Sequence, residues 1–526
     1  LKQAIFKSVT LLRIVLIWTF SAFVFGGVGA SAQSQAADTP SESYSSIRIT
    51  IQEAVFSGIY HLLIPPNTLK ADSSVQIKLS DIDVEVELVP ALLWPDSSHR
   101  SQDQSRYIRV LSVRFLKPPV VPKTYTLFWS DGADSGNRVS SHSVWANDQD
   151  GPVGLLREVE GWSKSSMLLH PLDDSADTDQ YLSAQKKHAL FVTDEQLMRE
   201  KKYPPQRASQ WLYDRPQALY QLYIMSGESQ WKDLADRDSE LYLQYVDTDG
   251  FFSLKKGDVK YLNSRGILYR FMLNGDPDSK AALKRMFSAS LRWEPVYDMG
   301  RGFWTERNQA AALNTALSYW ELTNSSEALK RIEQIVDATY AMTFQPVSNW
   351  PVIGCPQHAF RAHEGKGDDS AVCSPWMMAL LADGLWRYYQ LTGDTKSADL
   401  IKSFGEFVLN HGVYFGKGHA QITGKVIPRY LAALDSPHLV EENQWSDIRH
   451  GCDIAALLGK SVYIKSERNE SDVLLRQLFS VFAERCIKAS NKANTKSYSV
   501  IMPPRRFGWR YSTSSDLPWL VDMLLE

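Results

Sequence analysis

Residues 374–394, SPWMMALLADGLWRYYQLTGD, carry the reading of the fold. Ser374 followed by Pro375 is an N-cap with proline at the first helical position, where its missing N–H leaves no bond unmade. The apolar run behind it includes Ala379-Leu380-Leu381-Ala382, small and branched residues that a closely packed inner helix tolerates. Leu391-Thr392-Gly393-Asp394 then stops the helix, because glycine readily takes the left-handed conformation of a C-terminal cap.

That unit recurs. Near-copies of the stop read Ile-Met-Ser-Gly-Glu (224–228), Met-Leu-Asn-Gly-Asp (272–276) and Glu-Leu-Thr-Asn-Ser (321–325). Matching starts read Tyr213-Asp214-Arg215-Pro216, Asn263-Ser264-Arg265, Thr305-Glu306-Arg307-Asn308, Cys373-Ser374-Pro375-Trp376, His450-Gly451-Cys452-Asp453 and Ser515-Asp516-Leu517-Pro518. From Gly227 through Gly275, Asn324 and Gly393 to Gly459 the spacing is 48, 49, 69 and 66 residues, so the two long intervals carry inserted loops. Outer helices are expected over 195–201, 230–246, 279–291, 326–342, 396–410 and 473–489. Helix pairs of this kind must stack to bury their apolar faces, and six pairs close a ring whose inner-helix starts gather at one end.

Upstream the period changes to two. Alternating β-branched and aromatic residues at 47–51, 75–79, 84–88, 107–115 and 125–129 predict antiparallel strands. The chain therefore reads as multidomain: an N-terminal antiparallel β-sandwich (46–150), an interdomain linker (151–189) and an all-α (α/α)6 toroid (190–526). Ahead of these, 1–32 reads as a signal peptide, with Lys2, Lys7 and Arg13, an apolar stretch and Ala30-Ser31-Ala32; 33–45 is a polar linker. A secreted, periplasmic or extracellular protein without a stable membrane span is expected. In an oxidising setting Cys355, Cys373, Cys452 and Cys486 allow two disulfides in three connectivities that sequence does not separate, with Cys355–Cys373 favoured because it staples a charged loop.

Lys plus Arg (57) nearly balance Asp plus Glu (60), which excludes a general attraction to nucleic acid or anionic membrane. The 16 Trp and 23 Tyr exceed the usual needs of a core, and their flat apolar faces with a polar edge suit sugar rings. On this layout and on the composition of the helix tips, 46–526 resembles the toroidal carbohydrate-active enzymes, the superfamily of glycoside hydrolases and polysaccharide lyases. The resemblance implies an oligo- or polysaccharide partner and no cofactor, and it transfers no catalytic residue.

The residues themselves suggest candidates. The insert from Trp350 to Trp376 combines His358, Arg361, His363, Glu364, Asp368 and Asp369 on a glycine-punctuated loop. A metal reading of Cys355-x2-His358-x4-His363 with Asp369 or Cys373 matches no standard zinc spacing, so the disulfide is preferred and no metal is assigned. Glu306 opens a helix, whose dipole is expected to lower its pKa and suit it to a base. An inverting glycoside hydrolase would use Asp369 or Asp368 as acid and Glu306 as base, about 6.5–9.5 Å apart, with Asp214 and Asp453 next in line. Trp304, Trp376 and Trp509 are the stacking candidates, with His358 and His363 as further substrate contacts. The alternative is a lyase acting on a uronate-containing glycan by β-elimination. There Tyr213, Tyr261 or His450 takes the proton, Arg265, Arg307 or Asn308 blunts the carboxylate charge, and the arginines of 503–510 add an acidic-sugar patch. A non-catalytic glycan-binding envelope protein is the third reading. No P-loop, G-x-S-x-G, H-E-x-x-H or dinucleotide fingerprint is present.

Overall fold

The computed structural model describes residues 45–96, 106–130, 137–138, 153–158, 161–169, 176–347, 350–365, 367–434, 436, 439–440, 442–491 and 500–525. The expected signal peptide, and the linker up to residue 44, lie outside the described residues. Among the described residues no helix is long and apolar enough to cross a membrane.

Strands β1 (Ser45–Ile51), β2 (Ile59–Leu63), β3 (Ser74–Leu79), β4 (Ile82–Asp83), β5 (Val86–Leu93), β6 (Ile108–Phe115), β7 (Lys123–Ser130), β8 (Asn137–Arg138), β9 (Gly154–Leu155) and β10 (Arg157–Glu158) form two sheets. One runs β10-β1-β7-β3-β4, with β8 also on β3, and the other β5-β6-β2-β9. All these pairs are antiparallel except β2 with β9. Alternation is visible in β1, where Ile47, Ile49 and Ile51 point into a core shared with Val75, Ile77, Leu111 and Val113. The strand expected at 84–88 instead runs from Val86 past Pro90, where the pairing shifts register and a missing N–H is tolerated.

Strand β2 was not legible. All five of its residues are buried, so it shows no hydrophobic alternation. Tyr60 and Leu62 enter the sandwich core while Leu63 joins the helical core, because β2 is covered on both faces.

The helices are α1 (Ala176–Thr193), α2 (Arg215–Ser226), α3 (Ser229–Leu243), α4 (Ser264–Asn274), α5 (Pro277–Ser290), α6 (Glu306–Thr323), α7 (Ser326–Phe344), α8 (Pro375–Thr392), α9 (Thr395–Asn410), α10 (Gly451–Glu467), α11 (Val473–Asn491), α12 (Arg505–Thr513) and α13 (Leu517–Leu525). Up to α12 they pair as odd outer and even inner members, and α13 follows the last inner helix after a break. Inner helices touch in the order α2-α4-α6-α8-α10-α12 and back to α2, so the ring closes. At the closure a Cβ on Gly508 would lie 2.9 Å from the Tyr213 carbonyl oxygen, an approach only glycine allows. Outer helices bury one stripe, as Leu400, Ile401, Phe404, Phe407 and Val408 do on α9.

The repeated stop is a left-handed cap at Gly227, Gly275, Asn324 and Gly393, with φ of 75°, 65°, 55° and 70°. Gly459 is a correction. It sits inside α10, where a Cβ would come within 2.9 Å of the Phe479 ring, so it serves close packing and not a stop. The sixth start is a second correction: the last inner helix begins at Arg505 and breaks at Ser514, so Asp516 lies inside the barrel, 3.4 Å from Lys460. The segment 151–189 is not a simple linker either, since it holds β9, β10 and the outer helix α1. Helix α1 escaped detection because Gln185 and His188 are buried, donating to the Ala218 carbonyl and pairing with Tyr511, which blurs the apolar stripe. The expected outer helix at 195–201 is only a short turn, Glu195–Glu200.

The sandwich packs on the C-terminal ends of the inner helices. Asp96 N–H donates to Asn324 Oδ1 (3.0 Å), the Arg157 guanidinium lies 4.7 Å over the Tyr223 ring, and buried Glu321 binds both Arg109 of β6 and Arg387 of α8. His61 of β2 donates from Nδ1 to the Met272 carbonyl at the end of α4 (2.8 Å). Burial pushes the His61 pKa down to about 4, against an upward pull from that bond. A free histidine titrates near 6.5, so between about pH 6.5 and 4 the unfolded chain binds a proton that the folded chain refuses. This contribution is complete above pH 6.5 and is lost as the pH falls, by up to about 3 kcal/mol. Urea unfolding followed across this range should show that slope, and His61→Gln should reduce it by this one group's share, the other buried neutral imidazoles, His188, His358 and His450 among them, keeping the rest. An unchanged slope in the variant would assign the acid sensitivity elsewhere.

Candidate active site

Five of the six expected starts meet at the end of the barrel away from the sandwich, and the Arg505 end of α12 completes the circle. Gly266 N–H of α4 donates to Asp214 Oδ2 (2.9 Å), and Ser374 N–H at the head of α8 donates to Glu306 Oε1 of α6 (2.8 Å). From there the circle runs through rings. Trp376 lies 4.7 Å from His450, His450 4.1 Å from Trp509, and Trp509 5.4 Å from Tyr213, between ring centroids. The Arg307 guanidinium sits 5.8 Å over Trp376 and neighbours the Tyr213 hydroxyl. Behind this rim a cavity of about 80 Å³ reaches into the barrel between Tyr213, Lys260 and Arg307 above and Asn314, Arg265 and Asp383 below.

The crater is a cationic place with neutral acid–base groups. Burial lowers the His450 pKa well below its usual value, aided by Arg506 and Arg449, so the imidazole is neutral. Its Nδ1 lies 3.2 Å from Asp453 Oδ2, and a ring proton on Nδ1 directed at that oxygen puts the lone pair on Nε2. Burial raises the Asp453 pKa well above the carboxylate range, outweighing the opposing influence of Arg510, Trp509 and Arg506, so this carboxyl keeps its proton. Burial also raises the Tyr213 phenol, opposed by Arg307 and Arg505.

Of the other candidates, Asp214 and Arg265 line the cavity wall, each already engaged, and the rest lie outside it. Asp214 is an N-cap, accepting from Gln217 N–H (2.9 Å) as well as Gly266. Arg265 is buried deep in the barrel, bonded to Tyr269 and 3.5 Å from Asp383. Asn308 is buried, with Nδ2 3.4 Å from Asp258, and Tyr261 stacks on Phe252 beside the rim. Trp304 is fully buried against Trp293 and His358 and presents no face to a sugar. Asp369 pairs with Arg361 (2.7 Å) on the half-exposed loop, and exposed Asp368 accepts from Ser370 N–H (3.0 Å).

Glu306 shares no opening with those aspartates, because it is wholly buried against the loop. Its Oε1 lies 3.7 Å from His358 Nδ1, and His358 Nε2 lies 3.1 Å from His363 Nδ1. The expected lowering of its pKa is overturned. Burial raises it to about 8 despite N–H donors from Ser374 and its own backbone and the charge of Arg307, since loss of water outweighs the helix dipole. Glu306, His358 and His363 bring one ligand atom each within 4.8 Å of one another.

Sequence reasoning missed Asp258, Lys260 and Tyr430. Lys260 lines the cavity and pairs with Asp258 (2.6 Å); they lie one and three residues upstream of the recognised Tyr261, so their signal was in view. Tyr430 packs 5.8 Å from Trp376 from a distant loop and carried no local signal.

The Cys355–Cys373 bridge forms as favoured, with Cys452–Cys486 as the second. No family model and no curated protein matches the sequence. Among solved structures, the chain is similar to an unsaturated glucuronyl hydrolase from Streptococcus agalactiae, with 11% identity and a TM-score of 0.42 over 69% of this chain and 96% of the other. It is also similar to the GH76A alpha-1,6-mannanase from Salegentibacter sp. HEL1_6 (12%, 0.40, 66% and 100%) and to a polysaccharide lyase (12%, 0.36, 83% and 73%). At such distances a functional reading has to come from the crater's own residues.

Proposed function

We propose that this chain is a carbohydrate-active enzyme that cleaves a uronate-containing glycan by β-elimination in the crater. The observation that carries the reading is the convergence of Tyr213, Arg307 and His450 around the Trp376–Trp509 pair, with Lys260, Arg505 and Arg506 nearby. Arg307 pairs with the uronate carboxylate, which makes the proton on the adjacent ring carbon acidic and stabilises the developing enolate. Neutral His450 removes that proton through Nε2, and the Tyr213 hydroxyl protonates the departing glycosidic oxygen. Trp376 and Trp509 border the sugar. The two disulfides suit an oxidising location outside the cytoplasm.

One observation favours hydrolysis as the second reading: Asp453 keeps its proton, as a general acid must, and Asp258 offers a second carboxylate at the rim. Incubation with acidic and neutral polysaccharides, followed by reducing ends and by ultraviolet absorbance of unsaturated products, separates the two. Elimination raises both signals on acidic substrates alone. Reducing ends without absorbance establish hydrolysis, and silence on every glycan that binds leaves a binding protein.

A further inference from the structure

We propose that Glu306, His358 and His363 form a binding site for a zinc-like divalent cation, whichever reaction the crater performs. All three side chains are buried, and they come from two separate parts of the chain: the first turn of α6 and the loop stapled by Cys355–Cys373. His358 Nδ1 lies 3.3 Å from the Pro356 carbonyl oxygen, a partner that keeps the proton on Nδ1 and the lone pair on Nε2. Such an outer contact is what orients a metal-binding imidazole. That Nε2 faces His363 Nδ1 at 3.1 Å, close to the roughly 3.3 Å that separates two nitrogens on one tetrahedral zinc.

The second observation is what the trio leaves unmade. Glu306 Oε2 and His363 Nε2 have no hydrogen-bond partner among the described residues, although both side chains are buried. Stranding such atoms away from water is unfavourable, because the hydrogen bonds given up to water are not replaced. A cation between Oε2, His358 Nε2 and His363 Nδ1 gives the carboxylate oxygen the partner it lacks. Two imidazoles and one carboxylate are a donor set for zinc, cobalt(II) or manganese(II) rather than calcium, and they leave a fourth position for water. The sequence pattern pointed toward sulfur ligands, but both loop cysteines are consumed in their bridge and the carboxylate comes from α6 instead. A cation there would tie the loop to the residue preceding Arg307.

The full chain, stripped with a chelator and left unreduced, is titrated with zinc(II) and with cobalt(II), and bound metal is measured by elemental analysis. The expected result is one equivalent per chain, tetrahedral cobalt absorption in the visible, and loss of both in His358→Gln and His363→Gln. The wild-type cobalt spectrum decides the matter even if a variant misfolds, because with all four cysteines bridged only nitrogen and oxygen donors remain. A stripped wild-type chain that takes up no zinc, cobalt or manganese, or binding unchanged in the His358→Gln/His363→Gln double variant, overturns the site. These readouts do not depend on turnover, so the crater reaction stands or falls separately.

Discussion

Tyr213→Phe should lower kcat on the acidic glycan by about 10²–10⁴-fold, the usual contribution of a positioned proton-transfer group, with KM changed little. The substitution removes one hydroxyl and keeps the ring that packs 5.4 Å from Trp509, so the crater wall stays filled. His450→Gln should fall in the same range, because glutamine fits between Trp376 and Trp509 but cannot take a proton. Arg307→Lys should instead raise KM as well as lower kcat, since a single ammonium cannot match a planar guanidinium on a carboxylate. If Tyr213→Phe and His450→Gln both keep kcat within a few-fold of the parent while Asp453→Asn abolishes it, the elimination assignment is wrong and the protonated carboxyl is the working acid.

The largest effect on stability is expected at Glu321. It lies at the far end of the barrel, fully buried, between Arg109 of the sandwich and Arg387 of α8, 2.5 Å from the latter. Burial pushes its pKa up, yet Arg387 and Arg109 together outweigh this and hold it below the usual range, so the carboxylate is charged. Glu321→Leu leaves two guanidiniums in the core without their shared anion. Breaking a buried pair from one side costs about 3–5 kcal/mol, more than removing an ordinary surface bridge by several-fold. Urea unfolding of the variant measures it, and a loss under about 1 kcal/mol would mean that water or neighbouring carbonyls already satisfy both arginines. Because the network joins β6 to two inner helices, the sandwich should lose its contact with the toroid in the same transition.

Much of the architecture was readable in short stretches. Ser374-Pro375 and Asp214-Arg215-Pro216 do open inner helices, and Gly227, Gly275, Asn324 and Gly393 do end them, because caps depend on backbone geometry within a few residues. Gly459 misled for the opposite reason: glycine serves a stop and a close helix contact equally, and only the Phe479 ring distinguishes them. Strand β2 and helix α1 were hidden because both are covered on more than one side or bury polar groups, which erases the periodicity that sequence reading uses.

The amino-acid sequence alone determined five of the helical pairs, the alternating strands of the preceding domain apart from β2, and the set of polar residues at the helix starts. Each follows from interactions between neighbours along the chain or from a period of two or 3.6 residues. Which of those polar residues share a surface was decided only by the closed ring. Tyr213, Arg307 and His450 reach one another across α2, α6 and α10, while Glu306, one residue from Arg307, turns the other way and is sealed against His358 by a loop. Adjacent residues on a helix point about 100° apart, so the rotation of each helix against its neighbours, set by packing over the whole barrel, assigns one to the crater and the next to the core.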